Sequence, residues 1–176
     1  MKKNLLFLMM LFICGTALGQ RVKKDTSKNG QRIVNMSGYT FDIKMRSHKV
    51  SLTYYEFDNQ ASYSIDVYTY VNTSDNSEMS LKLFNGEELI LESLKSKKGA
   101  VYMLSNFGPL PLVYGMTNYT CSFEVTEEQL TKIFTYGIQE MCICSNNKSR
   151  SRTWKKDKVG QFLKKSYDKL KLRLKK

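Results

Sequence analysis

"MSLKLFNGEELILESL", residues 79–94, decides the fold class. Met79, Leu81 and Leu83 alternate with Ser80 and Lys82, the period of a strand with one buried face. Asn85-Gly86 follows, the dipeptide that most readily takes the positive φ values of a type I′ hairpin turn. Leu89, Ile90 and Leu91 then return on the paired strand. A tight antiparallel hairpin is the unit from which the rest of the chain is read.

Toward the N-terminus, "YSIDVYTYV" (63–71) alternates again. Tyr63, Ile65, Val67, Thr69 and Val71 lie on one face, with Ser64, Asp66, Tyr68 and Tyr70 on the other. That is a half-buried strand with one solvated side. Val50, Leu52 and Tyr54 form a preceding strand, and Asp58-Asn59-Gln60 turns between the two. Residues 20–38 are polar, with Lys23, Lys24, Asp25, Ser27, Lys28, Asn29 and Gly30 close together, and read as a flexible lead-in too poor in apolar area to order itself. Toward the C-terminus, Lys95–Gly99 reads as a turn and "AVYML" as a short strand. Residues 105–118, "SNFGPLPLVYGMTN", hold both prolines of the chain. They read as a crossover folded over an open end of the core, with a ligand lip as the alternative.

"YTCSFEV" (119–125) resumes the alternation. In "TEEQL", Thr126 and Gln129 have the spacing of a capping box, Glu127 and Glu128 fall where the helix dipole favours acids, and Gly137 ends the helix. "IQEMCICS" is a further strand, and "SRSRTW" pairs back on it. The last element is "VGQFLKKSYDKLKLRLKK" (159–176). At about 100° per residue, Val159, Phe162, Leu163, Tyr167, Leu170 and Leu174 fall within roughly 140°, and Lys164, Lys165, Lys169, Lys171, Lys175 and Lys176 lie outside it. A stripe that wide calls for burial against a sheet. The expected fold is α+β and mainly β: a curved antiparallel sheet or sandwich with one short helix near Glu127–Tyr136 and a long basic amphipathic C-terminal helix over about 157–175.

The N-terminus, "MKKNLLFLMMLFICGTALGQ", has Lys2 and Lys3 before an apolar run from Leu5 to Cys14 that is too short to span a bilayer. Ala17 and Gly19 suit cleavage before Gln20. Residues 1–19 therefore read as a signal peptide and the protein as exported, periplasmic or secreted, with no transmembrane span in the mature chain. Residue 13 is Ile, where a lipobox would place a small residue before Cys14. The 157 residues left of 176 suit one domain, residues 39–176 after the lead-in. Charge is unevenly placed. Residues 147–176 hold 13 Lys/Arg and 2 Asp, whereas residues 20–146 hold 13 Lys/Arg and 14 Asp/Glu. The excess belongs to the C-terminal segment.

Three cysteines remain in the mature chain. A disulfide of Cys121 with Cys142 or Cys144 and reduced, packed thiols both fit. Zinc wants four ligands and the only histidine, His48, is distant, so no metal and no cofactor are expected. The run from "YTCSFEVTEEQL" through "GIQEMCIC" to "KKDKVGQFLKKSYDKL" resembles small exported β-rich proteins of Bacteroidota-type bacteria. These end as strand, short helix, strand and terminal helix. The likeness implies a fold and an address and transfers no active site. Cys142 and Cys144 depart from the basic or polar residues of that pattern.

Neither G-x-S-x-G nor H-E-x-x-H is present. His48 in "RSHKV" reads as an exposed residue at the start of a strand, Asp66 as solvated surface, and Tyr68 with Tyr70 as candidates for an aromatic binding face. The expectation is a non-enzymatic exported binding or interaction domain. Its partner is an anionic cell-envelope surface or an acidic protein met through Lys164, Lys165, Lys169 and Lys171. No specific nucleic acid is expected. The alternative is a small secreted hydrolase or thiol-redox protein.

Overall fold

The computed structural model describes residues 21–175 apart from 29, 44, 45, 75, 106–111, 146 and 147. The expected signal peptide and its cleavage site lie outside the described residues. The elements in chain order are β1 (Val22–Lys28), β2 (Gln31–Met36), β3 (Tyr39–Ile43), β4 (Arg46–Phe57), β5 (Gln60–Thr69), β6 (Glu78–Leu83), β7 (Glu88–Ser105), β8 (Leu112–Val125), α1 (Glu127–Tyr136), β9 (Ile138–Ser145), β10 (Lys148–Thr153) and α2 (Val159–Leu174).

The period-2 segments pair as one antiparallel sheet in the order β1-β2-β4-β5-β8-β7-β6-β9-β10, with β3 also on β4. The architecture is the expected mainly β fold with a short helix and a C-terminal helix. Strand β7 is 18 residues long and makes the corner. Its start pairs with β6, its remainder pairs with β8, and a register shift at Ser93/Lys95 separates the two. Such a bulge bends a strand and raises its twist. The inward residues of both halves merge into one core that includes Val50, Leu52, Ile65, Val67, Phe123, Leu81, Leu91, Met141 and Ile143. Leu163 and Leu170 of α2 belong to the same core.

Strands β2 and β3 lie end to end along one edge of β4, pairing with residues 53–57 and 46–50 respectively. Gly38 sits at the break. A Cβ there would lie 2.9 Å from the Val50 carbonyl oxygen and would also strike the Lys49 side chain. Only glycine lets the backbones approach so closely.

Three expectations are corrected. The lead-in is no lead-in from Val22 onward: β1 and β2 form a hairpin, β2 pairs with β4, and Val34 and Met36 are buried. The Lys95–Gly99 turn is instead the middle of β7. The apolar stretch 105–118 is no crossover, because β7 and β8 pair from Ser93↔Phe123 to Ser105↔Leu112 as one long hairpin. Its residues 106–111 lie outside the described set.

The strand 63–71 has the expected register, with Tyr63, Ile65, Val67 and Val71 buried. Its other face is not simply solvated, since Ser64 and the facing Thr53 are fully buried. Helix α1 carries the capping box in full: Thr126 Oγ1 accepts from Gln129 N and Gln129 Oε1 from Thr126 N.

Candidate functional site

Asp157 sets the start of α2. Its Oδ1 accepts from Gly160 N at 2.8 Å and from Ile138 N at 3.1 Å, tying the helix to the start of β9. The first carboxylate of the basic segment is thereby turned onto the backbone. Val159, Phe162, Leu163, Ser166 and Leu170 are buried, and Phe162 packs 5.6 Å from the Tyr39 ring. With the stripe docked, Lys164, Lys165 and Lys169 are exposed, as are Lys155, Lys156 and Lys158 just before the helix and Arg150 and Arg152 on β10. An open groove of about 470 Å³ runs beside the first turns of α2, lined by Gly38, Tyr39, Thr40, Lys158, Gln161, Phe162 and Lys165. Lys158 and Lys165 share that lining with Tyr39 and Phe162, a mixture of basic and aromatic residues suited to holding anionic groups against a partly apolar floor.

Lys171 belongs elsewhere. Its Nζ lies 3.0 Å from Glu127 Oε1 and sits over the rings of Tyr63 and Tyr167, at 5.7 and 5.1 Å from their centroids. The hydroxyls of Tyr63 and Tyr167 donate to the same carboxylate oxygen, at 3.1 and 3.2 Å. Hydrogen bonding with Tyr63, then with Glu127 and Tyr167, raises the Lys171 ammonium above its ordinary value despite some burial. Lys171 in turn lowers the Glu127 carboxyl, and burial pushes the Tyr63 phenol up to about 12. Of the four lysines expected to form a binding face, Lys171 instead clamps α2 to α1 and β5. Nearby, Arg173 reaches Asp25 of β1 at 3.0 Å, and Arg32 reaches the same carboxylate.

The outer face of the β2–β4–β5–β8 region carries a second concavity of about 530 Å³, lined by residues that include Lys24, Asn35, Lys49, Asp66 and Tyr68. Asn35 Nδ2 donates to Thr53 Oγ1 at 2.8 Å, Thr53 Oγ1 donates to Asp66 Oδ2 at 2.5 Å, and Ser64 Oγ donates to Asp66 Oδ1 at 2.8 Å. Asp66 is therefore the acceptor that satisfies two buried hydroxyls, rather than merely solvated surface. Tyr68 stands edge-on to Tyr70 at 5.8 Å, and its phenol is pushed up to about 12, first by burial and then by Tyr70. The two rings are packed on each other, a poorer platform for a stacking ligand than two parallel open faces.

His48 is not an exposed residue at the start of a strand. It is 3% exposed and packs between the rings of Phe41 at 5.8 Å and Tyr70 at 6.2 Å. Cys121 is buried on β8 between β5 and β7, with Sγ 3.0 Å from Ser93 Oγ. Cys142 and Cys144 lie on β9, between β6 and β10. Of the two alternatives left open by the sequence, a bridge from Cys121 would need its strand beside theirs, and β8 neighbours β5 and β7 only; the thiols that approach are Cys142 and Cys144, 3.5 Å apart. Sequence spacing placed those two on one face, but strand order alone separated them from Cys121.

Among the described residues no three His, Cys, Asp or Glu side chains converge on a cation site, and no helix is long and apolar enough to cross a membrane. No family model, curated protein or solved structure matches the chain. The functional argument therefore rests on the residues and their geometry.

Proposed function

We propose that this chain is an exported binding domain that settles on an anionic surface of the cell envelope through the basic segment leading into and along α2. The carrying observation is the division of α2: the apolar stripe is spent on the core, while Lys164, Lys165 and Lys169 remain at the surface beside the Lys158–Lys165 groove. Each basic residue brought to an anionic leaflet contributes roughly 1 kcal/mol, and that contribution falls off within a Debye length. Hydrolase chemistry has less support, because the only imidazole is enclosed by Phe41 and Tyr70.

The test is sedimentation of the chain with vesicles of phosphatidylglycerol and phosphatidylcholine in equal parts, at low and physiological salt. Wild type should bind in a salt-sensitive way. Changing Lys164, Lys165 and Lys169 together to Gln should cost about 2–3 kcal/mol, roughly a 30–150-fold weakening. Binding by wild type that is absent at low salt, or unaltered in the triple variant, refutes the reading.

A further inference from the structure

The outer face of β9 presents Glu140, Cys142 and Cys144 at successive same-face positions. Across the ladder, Cys142 faces Ser80 of β6 and Ser151 of β10, while Cys144 faces Glu78 and Ser149. Both cysteines are half-buried and their sulfurs lie 3.5 Å apart. We propose that Cys142 and Cys144 form a two-thiolate site for a soft monovalent metal ion of the Cu(I) class.

Two alternatives fit this geometry less well. Residues two apart in an extended strand have Cα atoms about 6.4–6.8 Å apart, the outer limit for a disulfide, and the ladder on both sides of β9 holds the strand extended. Zinc in a structural site takes four ligands, and no third His, Cys, Asp or Glu among the described residues completes a cluster here. A coordinating ion deprotonates the thiols outright.

Thiolates select Cu(I) by softness, and two suffice for it in a near-linear arrangement. Taking the zinc–thiolate length of about 2.3 Å as an upper guide to the metal–sulfur distance, the pair spans at most about 4.6 Å. Opening the observed 3.5 Å to that takes a χ1 rotation of about 20° at each of the two side chains, within a staggered well. On binding, both thiols release a proton to solvent and two S–Cu bonds form. The product is a bis-thiolate complex of charge −1, and no oxidation state changes.

The experiment uses the reduced full chain, anaerobically, titrated into the coloured Cu(I)–bicinchoninate complex. One ion per chain should be withdrawn by wild type and by Cys121→Ser, and none by Cys142→Ser or Cys144→Ser. Circular dichroism confirms that each variant is folded. The proposal is overturned if wild type leaves the colour intact, or if either β9 variant still withdraws the ion. It is also overturned if Cys121→Ser fails to withdraw it, or if zinc is retained one per chain under equivalent competition.

Discussion

Leu163→Ala tests whether α2 is an integral part of the core. Leu163 is fully buried, whereas Phe162, at 8% exposed, borders the groove beside Tyr39. Truncating Phe162 therefore leaves a cleft that water enters, while truncating Leu163 leaves a closed cavity. Losses of this kind cost about 2–5 kcal/mol. For a chain of this size each kcal/mol shifts Tm by about 2–4 °C, so a fall of about 4–20 °C is expected. Thermal melts followed by far-UV dichroism provide the assay. The single tryptophan, Trp154, gives a second probe, since it is buried edge-on to Phe41 at 5.4 Å just before α2. The control is the combined change of Lys164, Lys165 and Lys169 to Gln, which should stay within about 0.5 kcal/mol of wild type because solvated charges contribute little. A Leu163→Ala protein melting within about a degree of wild type would mean that α2 does not dock. Its stripe would then be free for a membrane or a partner.

The Glu127 clamp should show in the pH dependence of stability. Lys171, then Tyr63, holds the Glu127 carboxyl below its ordinary 4.5. A depressed folded pKa contributes stability that is complete above the ordinary value and fades as pH falls through the folded one. The stability gap between wild type and Glu127→Gln should therefore be widest above pH 4.5 and shrink on acidification. With Glu127 61% exposed, it should remain under about 1 kcal/mol. Denaturant titrations across that range check it, and a gap that widens toward acid refutes it. At the β2–β3 break, Gly38→Ala should destabilise by about 1–3 kcal/mol, because its methyl meets the Val50 carbonyl. An unchanged denaturation midpoint would show that the edge yields freely there.

The strands legible in the sequence are those whose inward residues are apolar and whose turns are local. Asp58-Asn59 and Asn85-Gly86 are such turns, with φ of 47° and 63° at Asp58 and Asn59 and 88° at Gly86; Asn85 does not share the positive φ, so its turn is tight but not of type I′. Residues 22–36 were missed because β1 is an edge strand with exposed Lys23 and Lys24. Asn29-Gly30 is nonetheless the same hairpin dipeptide, and Gly30 has φ of 73°. What orders the segment is pairing of β2 with β4, a contact some twenty residues away that leaves no local mark. The polar middle of β7 misled for a similar reason. Ser96 Oγ bonds the Thr73 carbonyl at 3.0 Å and Lys95 and Lys97 remain exposed, so the strand is polar without being a turn. Thr53 and Ser64 are buried because Asp66 accepts from both, a partnership that alternation cannot reveal.

The lysines of α2 show how one residue type on one helix divides between folding and surface. By helical angle, Lys171 lies outside the apolar arc just as Lys164, Lys165 and Lys169 do. It is four residues beyond Tyr167, however, and so lies one turn further along the same margin of the stripe. There it meets Glu127, an acid placed in the first turn of α1 where the dipole favours negative charge. A local rule for one helix thus supplies the long-range partner for another. The clamp also fixes the rotation of α2 about its axis, because Tyr63 and Tyr167 donate to the oxygen that Lys171 meets. That rotation keeps Lys164, Lys165 and Lys169 outward. Losing Lys171 should therefore weaken attraction to anions by more than its own charge, through loosened presentation of the other three. Lys171→Gln should reduce vesicle binding more than Lys164→Gln and also lower Tm, whereas equal binding losses from the two would show that the lysines act only as independent charges.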